Sequence, residues 1–286
     1  MIKINLKNNL NIQKKRKIIE EFELSGIVKF KAIEANIKEI TNFIDGFTLS
    51  YSNDALRRNT RFNNTKIKDV DAGLQAIKLH SETGFSPAQP EIIWLYCVKP
   101  PGDNSGRTTI CDGLKLWENF SASTKTFFLE NPVKYKLKIP FNLNTKHKGK
   151  KKWYLGNPGV SNCFLDYDKS IIEFEYSKYA VQKSRYPGKL CFANHLLVSL
   201  NSESQLIKRT IADNNRLPNE VNKEVLLKSK ELTKTINWSI NELVMIDNLR
   251  FMHGREKIIN KKRDIVIIQT KTARFGYGDT NRKFIA

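Results

Sequence analysis

Two stretches of this sequence decide both its fold and its chemistry: LHSETGFSP at residues 79–87 and DNLRFMHGR at residues 247–255. His80 and Glu82 stand two positions apart, so in an extended strand their side chains leave the same face of the sheet. His253, from a distant strand, can complete a set of two imidazoles and one carboxylate. Such a set holds non-haem Fe(II) and leaves coordination positions open. The sequence therefore predicts a metal site at these three residues.

The segments around these residues form an ordered series. LHSETGFSP is followed by the apolar run IIWLYCV at 92–98, a PPG turn and SGRTTICDG at 105–113, and the second histidine block leads to RDIVIIQT at 263–270. The order and spacing of these blocks resemble the TauD/TfdA family of Fe(II)/2-oxoglutarate dioxygenases over residues 68–275. The carboxylate is Glu rather than Asp, as in clavaminate synthase-like members. The order of several blocks is more specific than any one of them.

This resemblance implies a role for several residues. His80, Glu82 and His253 would bind the iron and form the catalytic centre. The cosubstrate 2-oxoglutarate also needs a cation at its far carboxylate, which an arginine fork matches in a bidentate way. Arg263, ten residues after His253, is the candidate for that cation. Arg274 is the alternative, because related enzymes place this arginine later, and the sequence leaves the choice open.

The family also places a Thr hydroxyl beside that arginine, in a block that often reads G-G-E-T-T. Thr108 corresponds to it here, while Arg107 replaces the acid and is a candidate for contacting substrate at the pocket mouth. Phe192 and Asn194 are further candidates for lining the pocket. An ordinary strand role for Thr108 stays open.

Three other polar residues favour structural roles. Asp247 and Asn248 are expected to shape the turn between strands through bonds from side chain to backbone. His195, flanked by apolar residues, fits a satisfied core histidine better than a substrate contact.

The overall pattern predicts a mainly β protein with flanking helices. Apolar strands dominate the central and late regions, which suits two facing antiparallel sheets. The resemblance makes this a double-stranded β-helix, or jelly roll. We expect a single domain over 1–286, with a helical N-terminal region at 1–66. The jelly-roll core would span 67–132 and 236–286, and an insertion for substrate recognition would span 133–235.

Helix signals occur in four places. Ile18, Ile19 and Phe22 repeat at helical spacing before Gly26, a second helix carries Ile37, Ile40 and Ile44 before Gly46, and a third spans 219–235. A further helix is predicted around LKLWENF at 114–120, after the RTTICD strand, and the helical repeat that ends before Gly46 begins at Ile33. Residues 52–66 are polar and are predicted to form a loop near the site entrance.

Composition limits the partners. The net charge is +20, from 49 basic and 29 acidic residues, but the basic residues are spread along the chain and no nucleic-acid-binding signature occurs. A solvated lysine surface is therefore favoured over a nucleic-acid groove, while an acidic carrier protein stays open as a partner. The four cysteines form no C-x-x-C pair and indicate reduced thiols. Without an apolar span or a secretory leader, a cytoplasmic location is expected.

The resemblance also implies the reaction. Halogenating relatives lack the carboxylate that Glu82 supplies, so hydroxylation of an unactivated C–H bond, with release of succinate and CO₂, is expected. Desaturation, cyclisation or epoxidation would leave the same motifs. Glu-type relatives favour a small substrate that is amino-acid-like, free or tethered to a carrier. Two alternatives remain: a non-catalytic basic binding protein on this scaffold, and a zinc hydrolase using the same ligands.

Overall fold

The apolar run at 92–98 forms the central strand of a large sheet and is buried on both faces. Ile92, Trp94 and Tyr96 pack on one side, and Ile93 and Leu95 pack on the other. A strand covered on both sides reads as a continuous apolar run rather than an alternating one. This strand therefore separates two hydrophobic layers.

A computed structural model of the protein describes residues 2–4, 11–32, 35–52, 58–70, 73–103, 105–140, 154–185, 189–198, 206–211, 216–260 and 262–275. The strands of the first half are β1 (Ile2–Ile4), β2 (Ile27–Ala32), β3 (Thr48–Tyr51), β4 (Thr60–Arg61), β5 (Asn64–Asp69), β6 (Ile77–His80), β7 (Ile92–Lys99), β8 (Thr108–Asp112) and β9 (Val133–Pro140). The later strands are β10 (Val160–Asp166), β11 (Ile171–Lys178), β12 (Val181–Lys183), β13 (Leu190–Phe192), β14 (Leu206–Ile211), β15 (Lys234–Ile236), β16 (Glu242–Asp247), β17 (Phe251–Arg255) and β18 (Asp264–Ala273). The helices are α1 (Ile12–Ser25), α2 (Ile37–Asp45), α3 (Gly113–Glu118), α4 (Ala122–Glu130) and α5 (Asn219–Leu232).

Two sheets face each other and form the core. The major sheet runs in the order β1-β2-β16-β7-β18-β5-β4, with β3 also paired to β18, and the minor sheet runs β15-β8-β17-β6. Ile93, Val244 and Ile267 of the major sheet pack against Trp238 and Phe251 from the side of the minor sheet. This arrangement is the double-stranded β-helix that the sequence predicted.

Helices α1 and α2 cover the outer face of the major sheet. Phe22 of α1 and Ile44 of α2 are fully buried in the layer that also contains Trp94. Helix α1 ends at the predicted position, where Gly26 adopts a left-handed conformation with φ of 71°. That conformation suits glycine, which lacks the Cβ that would clash.

A third sheet, in the order β10-β11-β9-β14, covers the outer face of the minor sheet. Tyr135 and Phe174 of this sheet share one buried cluster with Leu79 and Met252 of the minor sheet. Helices α3, α4 and α5 contribute to the same cluster. The predicted insertion therefore packs on the outer face of the minor sheet, the sheet to which His80 and His253 belong.

The N-terminal region differs from the expectation of helices followed by a loop. Strands β2, β3, β4 and β5 from this region join the major sheet, and β4 with β5 forms a hairpin inside the predicted loop 52–66, of which 53–57 lies outside the described residues. Phe62 and Asn63 turn this hairpin with φ of 54° and 51°. Positive φ at both positions is typical of a type I′ turn. The hairpin was missed because its strands are polar and lack apolar alternation.

The cysteines and the helices are the next features of the described residues. All four cysteines are free thiols, and Cys97, Cys111 and Cys191 are buried. Within the described ranges, no helix combines the length and the apolar character that crossing a membrane requires.

Candidate metal centre

The minor sheet brings the two predicted histidine ligands side by side. His80 ends β6 and His253 lies on β17, and the two residues are direct partners in the antiparallel pairing. Their ring centroids are 4.4 Å apart. Residues opposite each other on neighbouring strands project their side chains to the same face, so the ladder itself holds the pair together.

Glu82 completes the cluster, although by a different route from the one expected. Strand β6 ends at His80 and Glu82 lies in the following turn, so the two side chains do not share a strand face as the sequence analysis assumed. The Oε2 atom of Glu82 nevertheless lies 3.4 Å from Nε2 of His253 and 3.9 Å from Nε2 of His80. One donor atom from each residue lies within 4.8 Å of the others. Two imidazole nitrogens and one carboxylate oxygen that converge in this way fit Fe(II).

Asn248 fixes the turn that carries Glu82. Its Oδ1 accepts from the Glu82 backbone N–H at 2.7 Å, and its Nδ2 donates to the Glu82 carbonyl at 3.0 Å and to the Pro90 carbonyl at 2.8 Å. The side chain is fully buried. Asn248 precedes His253 by five residues, so one amide ties the carboxylate turn to the β16–β17 connection that leads to the second histidine. The predicted role in shaping a turn therefore extends to a segment 166 residues away.

A second layer of polar contacts supports the same turn. Gln89 donates from Nε2 to the Ser81 hydroxyl at 2.7 Å and accepts at Oε1 from Nζ of Lys178 at 2.6 Å. Lys271 donates to the Gln89 carbonyl at 3.0 Å. Burial lowers the pKa of Lys178 to about 8. The turn is thus held from behind by a connected series of polar contacts.

The charge states suit metal binding. Burial, followed by the neighbouring imidazoles of His253 and His195, lowers the pKa of His80 well below its ordinary value. Nδ1 of His80 lies 2.9 Å from the Lys78 carbonyl, and because a carbonyl only accepts, Nδ1 carries the proton of the neutral ring. The lone pair of Nε2 is therefore available on the side of Glu82.

Glu82 is held as an anion by Arg58. Burial alone would raise the pKa of Glu82, but the Arg58 guanidinium and then the His253 imidazole lower it far below its ordinary value. Nη2 of Arg58 lies 2.9 Å from Oε1 of Glu82. The sequence analysis placed the surrounding segment near the site but did not single out Arg58, because nothing in a polar stretch marks one arginine among its neighbours.

Thr108 and Arg263 meet at one end of the minor sheet. Nη2 of Arg263 lies 3.4 Å from Oγ1 of Thr108, which also accepts from Nε1 of Trp238 at 3.0 Å. Thr108 pairs with Arg255, two positions beyond His253 on β17. Burial, followed by the nearby Arg255, lowers the pKa of Arg263 to about 10, so the guanidinium remains protonated at neutral pH.

Arg274, the alternative to Arg263, lies beyond the opposite end of β18. Strand β18 rises about 3.3 Å per residue, which separates the two arginines by roughly 35 Å. Nε of Arg274 donates to the Asp45 carbonyl at 3.0 Å, at the end of α2. This contact joins the helical layer to the sheet and lies away from the candidate ligand triad, which is His80, Glu82 and His253.

Two of the three candidates for substrate contacts, Arg107 and Phe192, have partners within the protein. Arg107 forms a bidentate pair with Glu256 at 2.7 and 2.8 Å. Phe192 is fully buried in the aromatic cluster of Phe120 and Phe128, with ring centroids 5.1 and 4.8 Å away. The ion pair of Arg107 and the aromatic packing of Phe192 are the contacts that the structure shows for these two candidates.

Asn194 and His195 lie directly behind the triad. The Asn194 carbonyl accepts from the Ser81 N–H at 2.7 Å, and its Nδ2 donates to the Ala180 carbonyl at 3.0 Å. His195 is buried, and its ring lies 5.2 Å from that of His80 in an edge-to-face arrangement. The core role expected for His195 fits this position, but the sequence analysis did not predict that its ring would lie against that of His80.

Comparisons with known proteins identify the family and agree with the fold. The profile of the family described as "Taurine catabolism dioxygenase TauD, TfdA family" matches residues 2–268. Among solved structures, a taurine dioxygenase from Burkholderia xenovorans has a TM-score of 0.60 at 13% identity, covering 96% of this chain and 87% of its own. AAD-2 in complex with Mn(II) and N-oxalylglycine has a TM-score of 0.60 at 16% identity, covering 94% and 91%. PvcB from Pseudomonas aeruginosa has a TM-score of 0.57 at 13% identity, covering 89% and 78%. No curated protein matches the chain significantly.

Proposed function

This chain belongs to the TauD/TfdA family and is an Fe(II)/2-oxoglutarate-dependent dioxygenase, and we propose that it hydroxylates an unactivated C–H bond of a small amino-acid-like or carrier-tethered substrate. Succinate and CO₂ would be the other products. The observation that carries this proposal is the convergence of His80, Glu82 and His253 within 4.8 Å. Glu82 occupies the position that halogenating relatives leave empty, which favours hydroxylation.

The three ligands have defined roles in this proposal. Nε2 of His80, Nε2 of His253 and Oε2 of Glu82 would hold the metal, since these atoms face one another. Bound Fe(II), together with 2-oxoglutarate and O₂, supplies the oxidising chemistry that no protein side chain provides. The chain contributes a buried site that limits water and fixes the ligands. Asn248 holds the Glu82 backbone, and the β6–β17 ladder sets the spacing of the two histidines.

Arg263 is the group that we assign to the far carboxylate of 2-oxoglutarate. Its guanidinium is largely buried, remains protonated at neutral pH and lies beside the Thr108 hydroxyl, so a carboxylate there would gain charge-assisted hydrogen bonds. Thr108 is adjacent to Arg255 in the ladder, about 7 Å along β17 from His253, within reach of a short dicarboxylate. The distance of Arg274 from this region argues against the alternative.

The substrate class is inferred from the Glu-type relatives and from the charge of the chain. Glu-type relatives act on amino acids and their derivatives, and a net charge of +20 would favour an anionic substrate or an acidic carrier. We further propose that 1–286 forms one catalytic domain, in which 133–235 contributes to substrate recognition. The buried cluster shared by Tyr135 and Met252 supports a single domain, because it joins the inserted sheet to the strand of His253.

Anaerobic titration tests the core of the proposal. Adding Fe(II) and then 2-oxoglutarate to the apoprotein should produce a visible metal-to-ligand charge-transfer band. His253→Ala should abolish the band and the substrate-independent turnover of 2-oxoglutarate. Met252→Ala is the matched control, because Met252 lies on the same strand and points into the opposite core. It should lower stability and retain the band; an undiminished band in His253→Ala would overturn the ligand assignment.

A substrate screen tests the remaining part. Free amino acids and an acidic carrier protein loaded with aminoacyl groups are compared for stimulation of succinate release. Mass spectrometry of the product should show a gain of one oxygen atom. Loss of two hydrogens, or a product without added oxygen, would contradict hydroxylation and leave the oxygenase assignment intact.

A further inference from the structure

Arg58 forms an ion pair with the carboxylate of Glu82. Nη2 of Arg58 lies 2.9 Å from Oε1 of Glu82, and the two side chains are 11% and 2% exposed. A pair this well shielded from water is far stronger than a surface ion pair. The contact therefore constrains how the Glu82 carboxylate can be used.

The two oxygens of Glu82 face different partners. Oε2 lies 3.4 Å from Nε2 of His253 and 3.9 Å from Nε2 of His80, whereas Oε1 is bonded to Arg58. A carboxylate can bind a metal through one oxygen or through both. With Oε1 turned to a guanidinium, only Oε2 points to the position that the histidines share.

We propose that Arg58 is a positioning residue that keeps Glu82 a one-oxygen ligand and so preserves an open coordination position. This inference rests on the assignment of Glu82 as a ligand. Three protein donors leave three positions on an octahedral ion, two for the chelating end of 2-oxoglutarate and one for O₂. A second oxygen from Glu82 would occupy one of these. The arginine thus protects the capacity to bind O₂ rather than the capacity to bind metal.

The location of Arg58 explains why it can act in this way. It precedes the β4–β5 hairpin, whose Arg61 is paired with Asp69 on β5 and with Asp264 on β18, both at 2.8 Å. The hairpin is thereby fastened to the major sheet beside the site. The guanidinium reaches Glu82 from this sheet, whereas the histidines belong to the opposite one.

The number of metal-bound waters provides a direct test. Mn(II) is loaded into the apoprotein, binding stoichiometry is measured by equilibrium dialysis, and water-proton relaxation reports the exchangeable inner waters. Arg58→Met should lower the relaxation contribution per bound Mn(II) by about one third, from three waters to two. Arg58→Lys, which keeps a cation near Oε1, should return it toward the wild-type value.

A second measurement separates this role from a general loss of structure. In Arg58→Met, the charge-transfer band with Fe(II) and 2-oxoglutarate should persist, because two positions remain, while substrate-free oxygen consumption falls at least about tenfold. Arg185→Met is the matched control, since Arg185 is a buried arginine paired with Glu91 at 2.7 Å, a carboxylate outside the triad. It should lower the free energy of unfolding without changing the water number.

The outcomes distinguish two failures. If Arg58→Met binds one Mn(II) with the wild-type water number, or if Arg185→Met lowers that number equally, the positioning role is refuted. If the wild-type protein binds no Mn(II) or Fe(II) at all, the assignment of the ligand triad fails instead.

Discussion

The amide of Asn248 links the turn of Glu82 to the β16–β17 connection that precedes His253, and its removal should weaken both the fold and the candidate metal site. Asn248→Ala deletes an acceptor for the Glu82 N–H and a donor shared by the Glu82 and Pro90 carbonyls. No water replaces these bonds easily, because Asn248 is fully buried. Three backbone groups would then lose a buried partner.

The size of the effect follows from these three groups. A buried donor or acceptor left unsatisfied costs about 1–3 kcal/mol, so the substitution should lower the free energy of unfolding by roughly 3–6 kcal/mol once partial relaxation is allowed. Loss of a contact that orients a metal ligand typically weakens metal binding about 10–100-fold. Both effects are expected together, since one side chain serves both purposes.

Urea unfolding of the apoprotein and Mn(II) titration measure the two effects separately. Asn119→Ala is the control, because the Asn119 amide donates to the Lys115 carbonyl at an exposed helix end and should cost less than about 1 kcal/mol. The reasoning would be refuted if Asn248→Ala lost less than about 1 kcal/mol and bound Mn(II) as tightly as the wild type.

Three further predictions concern other parts of the site. Arg263→Gln should weaken 2-oxoglutarate binding about 10–100-fold with Mn(II) affinity unchanged, whereas Arg274→Gln should leave 2-oxoglutarate binding near wild type. Isothermal titration calorimetry measures both affinities, and the opposite pattern would exchange the roles of the two arginines. Gly254→Ala would place a Cβ 2.5 Å from the Ile77 carbonyl oxygen, so β6 and β17 must separate. Mn(II) affinity should then fall at least about tenfold in a fluorescence titration. An unchanged affinity would contradict the close approach of the two strands. Burial lowers the pKa of Lys178 from 10.5 to about 8, so between these pH values the unfolded chain binds more protons than the folded one. The stability of the wild type relative to Lys178→Met should therefore rise with pH across this window by up to about 3 kcal/mol in urea unfolding, and a flat difference would exclude a buried ammonium.

The sequence carried most of the information about the fold and the ligand types. The run at 92–98 predicted a buried strand, and Gly26 marked the end of α1, because these signals are local. The candidate metal site was also accessible, since two histidines and one glutamate form a donor set that suits Fe(II). The Glu82 turn was misjudged because the end of β6 is fixed by long-range bonds to Asn248, which no local pattern encodes.

The role of Arg58 could not be derived in this way. Its contact with Glu82 depends on how the β4–β5 hairpin docks on β18, through the pairing of β5 with β18 and the ion pair of Arg61 with Asp264. The position of His195 beside His80 is likewise set by the packing of the inserted sheet, which apolar patterning predicts only as burial. Contacts between elements distant in sequence are therefore the part that required a structure.

The direct cross-strand partnership of His80 and His253 has a consequence for engineering. The attachment points of these two ligands are set by the backbone ladder, in which β17 lies between β6 and β8, rather than by the side chains themselves. Exchanging either imidazole for a thiolate or a second carboxylate would alter the donor set while leaving its anchorage in place. Single substitutions at these two positions should therefore change the preference among transition metals, because the strand pairing keeps the backbone of the site in place.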